Sequence, residues 1–423
     1  GYGELSFSLY NGEKHVDHTG WINTEGVVGS HYADRYITRM GEQCVEIPEE
    51  RTARWLTLHV HFPVAGHLTF NGAGLVKSQY PIKPVGSFQC GDERIDQIVK
   101  LCLIHAEVTM SDAYIDTPGR EDGQWIEDAR PRAIVTARWF DDTLLRDFMA
   151  RTLAEGQGAD GHLHPFAPAN FPAYPATLDW SVQWVAIVYD IYSWSGDPRV
   201  IRTYWDNLCH YWDAALAPRD KSLWSDPARY NEKGPFYLDE QGLWRTDNVL
   251  ADIRVGQRTQ GPNQSSGIVT PMMLERLLWS VEMAEVIGEK EQARKWRVMA
   301  EMMTDAFKKY HIVRDQPNQP PHVADCYDIQ DPNIERGYSQ AGQTFALMLG
   351  LMPTAEAIAN LDYAFSAPDG APPFGVTRWN SPSWSYRVLR VLSDYGFSER
   401  AVAHLIERCS PYLPGNPRNP VEL

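Results

Sequence analysis

From about residue 92 onward the chain is a succession of helical segments separated by breakers, and this repetition limits the folds open to it. Asp92 precedes a segment whose apolar residues recur at a spacing of three and four, as in a capped amphipathic helix. Those residues are Ile95, Ile98, Val99, Cys102 and Leu103. Short breakers such as Ser195-Gly196-Asp197-Pro198 separate many of the later segments. The pattern predicts pairs of antiparallel helices.

Repeated helical hairpins of this size close well into an (α/α)6 barrel. Eleven helices are predicted, one fewer than six hairpins require, so the last helix of the barrel is not accounted for. Longer loops are expected at 157–178, 217–265 and 312–337. We predict a mainly α fold with helices near 92–110, 128–139, 141–156, 179–195, 198–216, 266–287, 289–311, 338–350, 353–365, 382–395 and 397–409.

The part of the chain before the helices has a different pattern. The stretch "ARWLTLHVHFPVAGHLTFNGAGLVKSQY" alternates apolar and polar residues, is rich in β-branched and aromatic types, and is interrupted by glycine. Such a pattern predicts short strands. We therefore expect an incomplete β-sandwich-like region over residues 1–85, followed by the (α/α)6 barrel domain over residues 86–423.

The composition excludes some partners and leaves others open. A formal net charge of −16 without a Lys/Arg-rich run argues against nucleic acid as a partner. No run of 18 apolar residues is present, so no membrane association is expected. The 15 Trp and 20 Tyr suit either a sugar-binding enzyme or a large helical core. The chain starts without Met or a signal peptide and is interpreted as an internal start, so the compartment stays open, as does homo-oligomerisation.

Metal and cofactor signatures are weak. The six cysteines include no C-x-x-C pair and lie in apolar surroundings, so buried free thiols are expected rather than a zinc site. His162 and His164 are spaced like a metal pair, but no third ligand is evident. We interpret them as loop histidines that touch substrate or are solvated. No phosphate-binding loop or nucleophile elbow appears, and we expect no cofactor and no metal.

One stretch gathers an unusual density of charge, "YIDTPGREDGQWIEDARP" at residues 114–131. Pro118-Gly119 prevents a continuous helix there, so the carboxylates lie on a loop. One interpretation is a solvated loop followed by a helix whose positive end Glu127 and Asp128 favour. The other is the acid side of an active site, where crowding and Trp125 would raise the pKa of Glu121. The residues concerned are Asp116, Arg120, Glu121, Asp122, Glu127 and Asp128.

The segment "DTPGREDGQWIEDA" resembles the acidic signature of glycoside hydrolase family 78, the α-L-rhamnosidases, whose form is D-C-P-x-R-E-R-x-G-W-x-G-D. The resemblance implies that Glu121 is the general acid and that Asp116 and Asp128 bind sugar hydroxyls. Trp125 would line the pocket, and Arg120 would fix the geometry or hold a neighbouring carboxylate ionised. The ungapped matches are Asp116, Pro118, Arg120, Glu121, Trp125 and Asp128.

Other segments extend the resemblance to roughly residues 30–410. "GADGHLHPFAPANFPAYPATLDWSVQW" is similar to the family's D-G-x-x-P loop and the D-W that follows it. It implies sugar contacts for Asp179, Trp180 and Trp184, with core packing as the rival explanation for Trp184. Glu335-Arg336 is interpreted either as a ligand contact or as a surface ion pair.

The chain departs from the family pattern in two places. Gln124 and Glu127 stand where glycine is usual, and a carboxylate beside Asp128 is expected to alter the preferred sugar or weaken binding. The family's general base is the glutamate of T-T-x-W-E, whereas this chain has "PGNPRNPVEL". Glu422 lies at the expected distance without the Thr-Thr or the Trp. It is the candidate base or a stray residue, and Asp128 or Glu127 is the fallback.

The resemblance implies an inverting glycoside hydrolase that cleaves terminal α-L-rhamnosyl residues, with a rhamnose-containing glycan or glycoside as its substrate. Two alternatives stay open from the sequence. The chain could be a non-catalytic sugar-binding or truncated relative, or an (α/α)6 enzyme that acts on another sugar. A uronate lyase is disfavoured, because the acidic cluster would repel a uronate carboxylate.

Overall fold

A computed structural model describes most of the helical part of the chain and shorter pieces of the rest. The described residues are 4–10, 33–47, 55–61, 66–117, 123–167, 178–217, 236–238, 243–246, 264–314, 316–328, 331, 333, 336–367, 370–373, 375–378 and 385–413.

The first strands form one antiparallel sheet. They are β1 (Glu4–Tyr10), β2 (Ala33–Ile37) and β3 (Trp55–His61), in the order β2-β1-β3. Strand β1 pairs with both neighbours, so that Phe7 lies opposite Asp34 on one side and Leu58 on the other. The predicted strands after β3 are wrong, because residues 66–90 form no strand. Among the described residues no strand lies alongside that stretch, and alternation without a partner does not make a sheet. The division into domains at residue 85 stays a prediction.

All eleven predicted helices are present, and their ends shift by a few residues. Two of them are divided, at Val182 and at Tyr204. The helices are α1 (Glu93–Val108), α2 (Ile126–Trp139), α3 (Leu144–Glu155), α4 (Leu178–Ser181), α5 (Gln183–Ser195), α6 (Arg199–Thr203), α7 (Trp205–Ala215), α8 (Val269–Ile287), α9 (Lys290–Tyr310), α10 (Gln340–Met348), α11 (Thr354–Ala364), α12 (Ser385–Asp394) and α13 (Ser398–Cys409).

Caps and breakers account for several of these boundaries. The Asp92 carboxylate accepts a hydrogen bond from the Arg94 backbone N–H at 2.9 Å, which confirms the predicted cap of α1. Helix α5 ends where Gly196 adopts a left-handed conformation with φ of 68°, which glycine adopts without strain. Helix α2 begins at Ile126, two residues before the predicted start, so Glu127 and Asp128 both lie in its first turn.

The helices form two concentric layers, as an (α/α)6 barrel requires. Helices α2, α5, α8, α10 and α12 make the inner layer, where each packs against the next. Helix α8 is buried around most of its circumference, and in α10 every residue from Gln340 to Leu347 is buried. Helix α12 buries one face, which includes Arg387, Val388, Val391 and Leu392. Helices α1, α3, α7, α9, α11 and α13 bury one face each and make the outer layer, with α13 against α1. The predicted mainly α barrel is confirmed.

Two long loops contain short strands that the sequence did not indicate. Strands β4 (Phe236–Leu238), β5 (Trp244–Thr246), β6 (Gln264–Ser266) and β9 (Cys326–Asp328) form an antiparallel sheet in that order. Strands β7 (Ile312–Val313) and β8 (His322–Val323) pair separately. Each strand has two or three residues, too few to show alternation. Because β6 pairs with β9, the loop before α8 is fixed to the loop before α10.

The core explains part of the aromatic composition. Trp184, Trp212 and Trp296 are fully buried among aliphatic side chains, so these tryptophans serve packing. The six cysteines are free, as predicted, but only Cys326 is buried, and Cys44 and Cys102 are exposed. The prediction of buried thiols is therefore wrong for those two. Within the described ranges, no helix is both long and apolar enough to cross a bilayer.

Candidate active site at the start of the inner helices

The first turns of four inner helices meet at one end of the barrel. Glu127 of α2 lies 3.5 Å from Arg387 of α12, measured from Oε1 to Nη1. Gln183 of α5 donates to the Met272 sulfur of α8 at 3.3 Å. The loops that lead into these helices, including the acidic stretch before α2, therefore reach the same end of the barrel. This is the end at which the chain can assemble a site.

The acidic loop is closed at its base by two hydrogen bonds. The Asp116 backbone N–H donates to the Gly123 carbonyl at 2.9 Å, and the Gly123 N–H donates to Asp116 Oδ1 at 3.2 Å. The two ends of this stretch, Asp116 and Gly123, are therefore held together. Residues 118–122, which include Arg120 and Glu121, lie outside the described residues. The roles of Arg120 and Glu121 stay predictions.

A buried arginine supports this clasp from α2. Arg132 donates from Nη2 to the Asp116 carbonyl at 3.0 Å and also donates to the Ile115 carbonyl. Burial lowers the pKa of Arg132, while Asp128 and Asp116 oppose that shift. Arg132 thus supplies positive charge beside the clustered carboxylates. This role of Arg132 was not predicted from the sequence, although Arg132 lies four residues after Asp128, a spacing that places both on one face of a helix.

Gln124, one of the two departures from the family pattern, crosslinks the site. Its Oε1 accepts from the Tyr114 backbone N–H at 3.3 Å, and its Nε2 donates to Thr152 Oγ1 at 3.2 Å and to the Ala167 carbonyl. The side chain is buried. The Gln124 side chain therefore joins the start of the acidic stretch, α3 and the loop that follows α3. A glycine at this position has no side chain to form these hydrogen bonds.

Gln124→Ala is expected to lower the free energy of unfolding by about 1–3 kcal/mol, because the buried Tyr114 N–H loses its side-chain acceptor, while the Ala167 carbonyl keeps the Thr152 hydroxyl as a donor. Denaturant unfolding measures the change. Gln97→Ala, an exposed glutamine on α1, is the matched control and is expected to change stability by less than about 0.5 kcal/mol. Equal effects of the two changes would contradict the crosslink.

Three aromatic rings lie together beside the acidic loop. Trp125 lies 4.7 Å from Phe166 and 5.2 Å from Trp180 between ring centroids. The Ile126 N–H donates to the Pro165 carbonyl at 2.9 Å, which fixes the start of α2 against this cluster. Trp125 and Trp180 are half-buried, as a surface that stacks on a sugar must be. The structure therefore brings two predicted contacts together.

The other predicted residues of this loop divide into two groups. Asp179 lies in α4 next to Trp180, and its side chain is not among those described. Trp184 is fully buried and donates its indole N–H to the Ala150 carbonyl at 2.9 Å. Core packing, the rival explanation, accounts for Trp184. The predicted sugar contact at Trp184 is wrong, because no part of the ring reaches the surface.

Glu127, the second departure, does not add a carboxylate to an open pocket. Its side chain is 3% exposed and faces Arg387, whereas the neighbouring Asp128 is half-buried. Burial raises the pKa of Glu127 to about 7, against the opposing effects of Arg387, Arg130 and Arg276. Glu127 therefore belongs to the interior of the barrel, and its effect on the preferred sugar or on binding stays a prediction.

A buried network of charged groups lies next to Glu127. Gln183 Oε1 accepts from Arg276 Nη2 at 2.9 Å and from Arg130 Nη1 at 3.5 Å. Arg130 also pairs with Asp190 at 2.8 Å. Arg276 is paired with the adjacent Glu275. The members of this network come from helices that are far apart in sequence. None of its arginines was predicted to be a buried residue from the sequence.

The histidine pair is not a metal site in the described part of the chain. His162 and His164 are 5.6 Å apart between ring centroids. The described ranges contain no group of three or more His, Cys, Asp or Glu residues that could hold a metal ion. Burial lowers the pKa of His162 to about 4, with His164 adding to the shift. The interpretation of His162 as a solvated residue is therefore wrong, because its ring is buried.

Two further predictions concern residues that are described only in part or not at all. Glu335 and the candidate base Glu422 are outside the described residues. Arg336 is half-buried, and its guanidinium lies 5.5 Å from the ring centroid of Tyr327. The pairing of Glu335 with Arg336 stays a prediction.

A buried aspartate lies at the start of the inner helix α10. Asp325 Oδ1 accepts from the Ser339 hydroxyl at 2.5 Å, and the same hydroxyl oxygen accepts from the Gly342 N–H and so caps α10. Asp325 is fully buried. Burial raises its pKa to about 7, although Ser339 acts in the opposite direction.

The protein is expected to lose stability through Asp325 as the pH rises from about 4 to about 7. A pKa that is raised in the folded state means that the folded chain binds the proton more tightly, so ionisation favours unfolding. The difference in unfolding free energy between wild type and Asp325→Asn should change by up to about 4 kcal/mol across this window. Denaturant unfolding at several pH values measures it. Asp305→Asn, an exposed site on α9, should give a flat difference.

Comparison with known proteins identifies relatives of this fold. Residues 83–367 match the family model described as the bacterial alpha-L-rhamnosidase 6 hairpin glycosidase domain. No curated protein shows significant sequence similarity to the chain. Many solved structures share the fold, and they include three rhamnosidases from different organisms.

The GH78 family rhamnosidase of Bacillus sp. GL1 has a TM-score of 0.73 at 18% identity, covering 97% of this chain and 39% of that one. The rhamnosidase from Klebsiella oxytoca with rhamnose bound has a TM-score of 0.63 at 15% identity, covering 96% and 72%. The Streptomyces avermitilis alpha-L-rhamnosidase complexed with L-rhamnose has a TM-score of 0.60 at 18% identity, covering 95% and 34%. The chain therefore spans well under half the length of two of these relatives.

Proposed function

Because the chain belongs to the family of bacterial α-L-rhamnosidase six-hairpin glycosidase domains, we propose that it is an inverting glycoside hydrolase that removes terminal α-L-rhamnosyl residues from glycans or glycosides. A glycoside hydrolase fold follows from the family. The carbohydrate substrate, the rhamnosyl specificity and the stereochemical course are the proposal. It is supported by the solved relatives from Klebsiella oxytoca and Streptomyces avermitilis, which hold rhamnose.

The observation that carries the proposal is the clasped acidic loop beside an aromatic cluster. The clasp between Asp116 and Gly123 lies at the end of the barrel where the inner helices begin. Trp125 and Trp180 lie next to it with half-buried rings that suit the C–H face of a sugar. A carboxyl-rich loop and an aromatic surface in one place are the two elements that a glycosidase requires.

The reaction follows from these groups. Glu121, in its protonated form, donates its proton to the glycosidic oxygen as the bond between that oxygen and the anomeric carbon breaks. Asp116 and Asp128 bind sugar hydroxyls and hold the ring, and Arg120 orients the loop. Asp179 contacts the sugar from the side of Trp180. Clustered carboxylates disfavour further negative charge, which keeps Glu121 protonated near neutral pH.

The second carboxylate accepts a proton from the attacking water. In an inverting enzyme the two carboxyl groups are about 6.5–9.5 Å apart, so that a water fits between the base and the anomeric carbon. Glu422 is the candidate for this role, with Asp128 as the alternative. Glu127 is less suitable as a base, since its buried carboxylate faces Arg387.

A panel of aryl glycosides tests the proposal. The wild-type chain should hydrolyse an aryl α-L-rhamnoside with kcat/KM at least about 100-fold above that for the matching α-D-mannoside, α-L-fucoside and uronide. Preferential turnover of another glycoside would assign a different sugar. Calorimetric binding of L-rhamnose without turnover of any glycoside would replace the hydrolase by a sugar-binding protein.

A further inference from the structure

Glu127 connects the helix that follows the acidic loop to the far side of the inner layer. It lies in the first turn of α2, directly before Asp128, and its carboxylate meets Arg387 in the first turn of α12. Arg387 is 1% exposed, and its guanidinium lies over the rings of Tyr386 and Phe345 at 4.5 and 5.4 Å. The arginine is therefore held in place independently of Glu127.

A second contact joins the same two helices one turn further along. Arg130 Nη1 donates to the Tyr386 hydroxyl at 3.4 Å. Helices α2 and α12 are not consecutive along the chain, and the residues in contact are about 260 positions apart. A carboxylate–guanidinium pair and a weaker hydrogen bond thus link the start of α2 to the start of α12.

The acidic and basic residues around Glu127 are matched in pairs. Glu127, Asp190 and Glu275 balance Arg130, Arg276 and Arg387. Asp190 is bonded to Arg130, and Glu275 is paired with Arg276. Glu127 is paired with Arg387. Breaking a buried pair of this kind costs about 3–5 kcal/mol in general.

We propose that Glu127 is a positioning residue for the hydrolysis reaction, which through its pair with Arg387 sets the first turn of α2, and with it Asp128, relative to α12. This inference rests on the proposed function, because it assigns Glu127 a role in that reaction. A displacement of about 1 Å in such a site lowers the rate by about 100-fold.

The experiment measures kcat and KM on an aryl α-L-rhamnoside for Glu127→Gln, Arg387→Met and the double variant, well below the unfolding temperature of each. Glu127→Gln keeps the shape and removes the charge, so it avoids the cavity of an alanine. We expect each single change to lower kcat by about tenfold or more with KM changed less than about threefold. The double variant should be no slower than the slower single variant, because both changes break one interaction.

Glu275→Gln is the matched control. This change removes a buried carboxylate of the same network. Glu275 pairs with Arg276 of its own helix α8, so this pair does not join α2 to α12. Glu275→Gln should lower the unfolding temperature and leave kcat unchanged. If Glu127→Gln also lowers only the unfolding temperature, or if the two single effects on kcat multiply in the double variant, the positioning role is overturned. A wild-type chain that hydrolyses no rhamnoside would overturn the proposed function itself.

Discussion

Glu121→Gln is expected to reduce hydrolysis of an alkyl α-L-rhamnoside by about 10²- to 10⁴-fold, the usual range for loss of a general acid. An alkyl alcohol is a poor leaving group and needs the proton that glutamine lacks. With a 2,4-dinitrophenyl α-L-rhamnoside the leaving group departs without protonation, so the variant should retain most of the wild-type rate. Measuring kcat/KM on both substrates separates proton donation from sugar binding.

The control for this prediction is Glu301→Gln, an exposed glutamate on the outer helix α9. It should match the wild type on both substrates. If Glu121→Gln lowers the rates on the two substrates by the same factor, Glu121 binds the sugar and another residue supplies the proton. The comparison of leaving groups is therefore more informative than the loss of activity alone.

Arg132→Met is expected to have the second largest effect. Arg132 donates to the carbonyls of Ile115 and Asp116 and fixes the point where the acidic loop leaves the barrel. Hydrogen bonds from a charged donor contribute about 1.5–3 kcal/mol each, so unfolding free energy should fall by about 3 kcal/mol or more. With the loop anchor displaced, kcat/KM on an aryl α-L-rhamnoside should fall by about 100-fold.

Arg138→Met provides the comparison within the same helix. Arg138 is exposed, and its guanidinium lies 5.8 Å from the ring centroid of Trp194, away from the acidic loop. Its replacement should change stability by about 0.5 kcal/mol or less and leave the kinetics unaffected. Activity that survives in a folded Arg132→Met variant would mean that the clasp between Asp116 and Gly123 holds the loop without support from α2.

The helices were predictable because their signals are local. A three-four spacing after Asp92, a left-handed Gly196 and the proline of Leu351-Met352-Pro353 each act within one turn of chain. The start of α2 was placed two residues late, since Trp125 caps it without a side-chain hydrogen bond and leaves no sequence signal. The strands of the small sheet were missed, because pairing between β6 and β9 joins residues about sixty positions apart.

The candidate site was predictable only in part, because some of its residues are local in sequence and others meet only in the folded chain. The acidic loop is one contiguous stretch, and its aromatic neighbour Trp180 lies in a second recognisable segment. The buried arginines could not be predicted in this way. In the sequence, Arg130, Arg276 and Arg387 resemble ordinary surface charges on helical segments, and they are buried together only when the barrel folds. Gln124 and Glu127 were recognised as departures from the pattern, but their partners Thr152 and Arg387 could not be read from the stretch itself.

The stereochemistry of the released sugar tests the central claim most directly. Proton NMR of an aryl α-L-rhamnoside with a high concentration of the chain should show β-L-rhamnose as the first anomer, before mutarotation supplies the α form. That result requires water to attack from the face opposite the leaving group, between two carboxyl groups. Initial appearance of α-L-rhamnose would contradict the inverting mechanism, and the absence of any released rhamnose would contradict the assignment of this chain as a rhamnoside hydrolase.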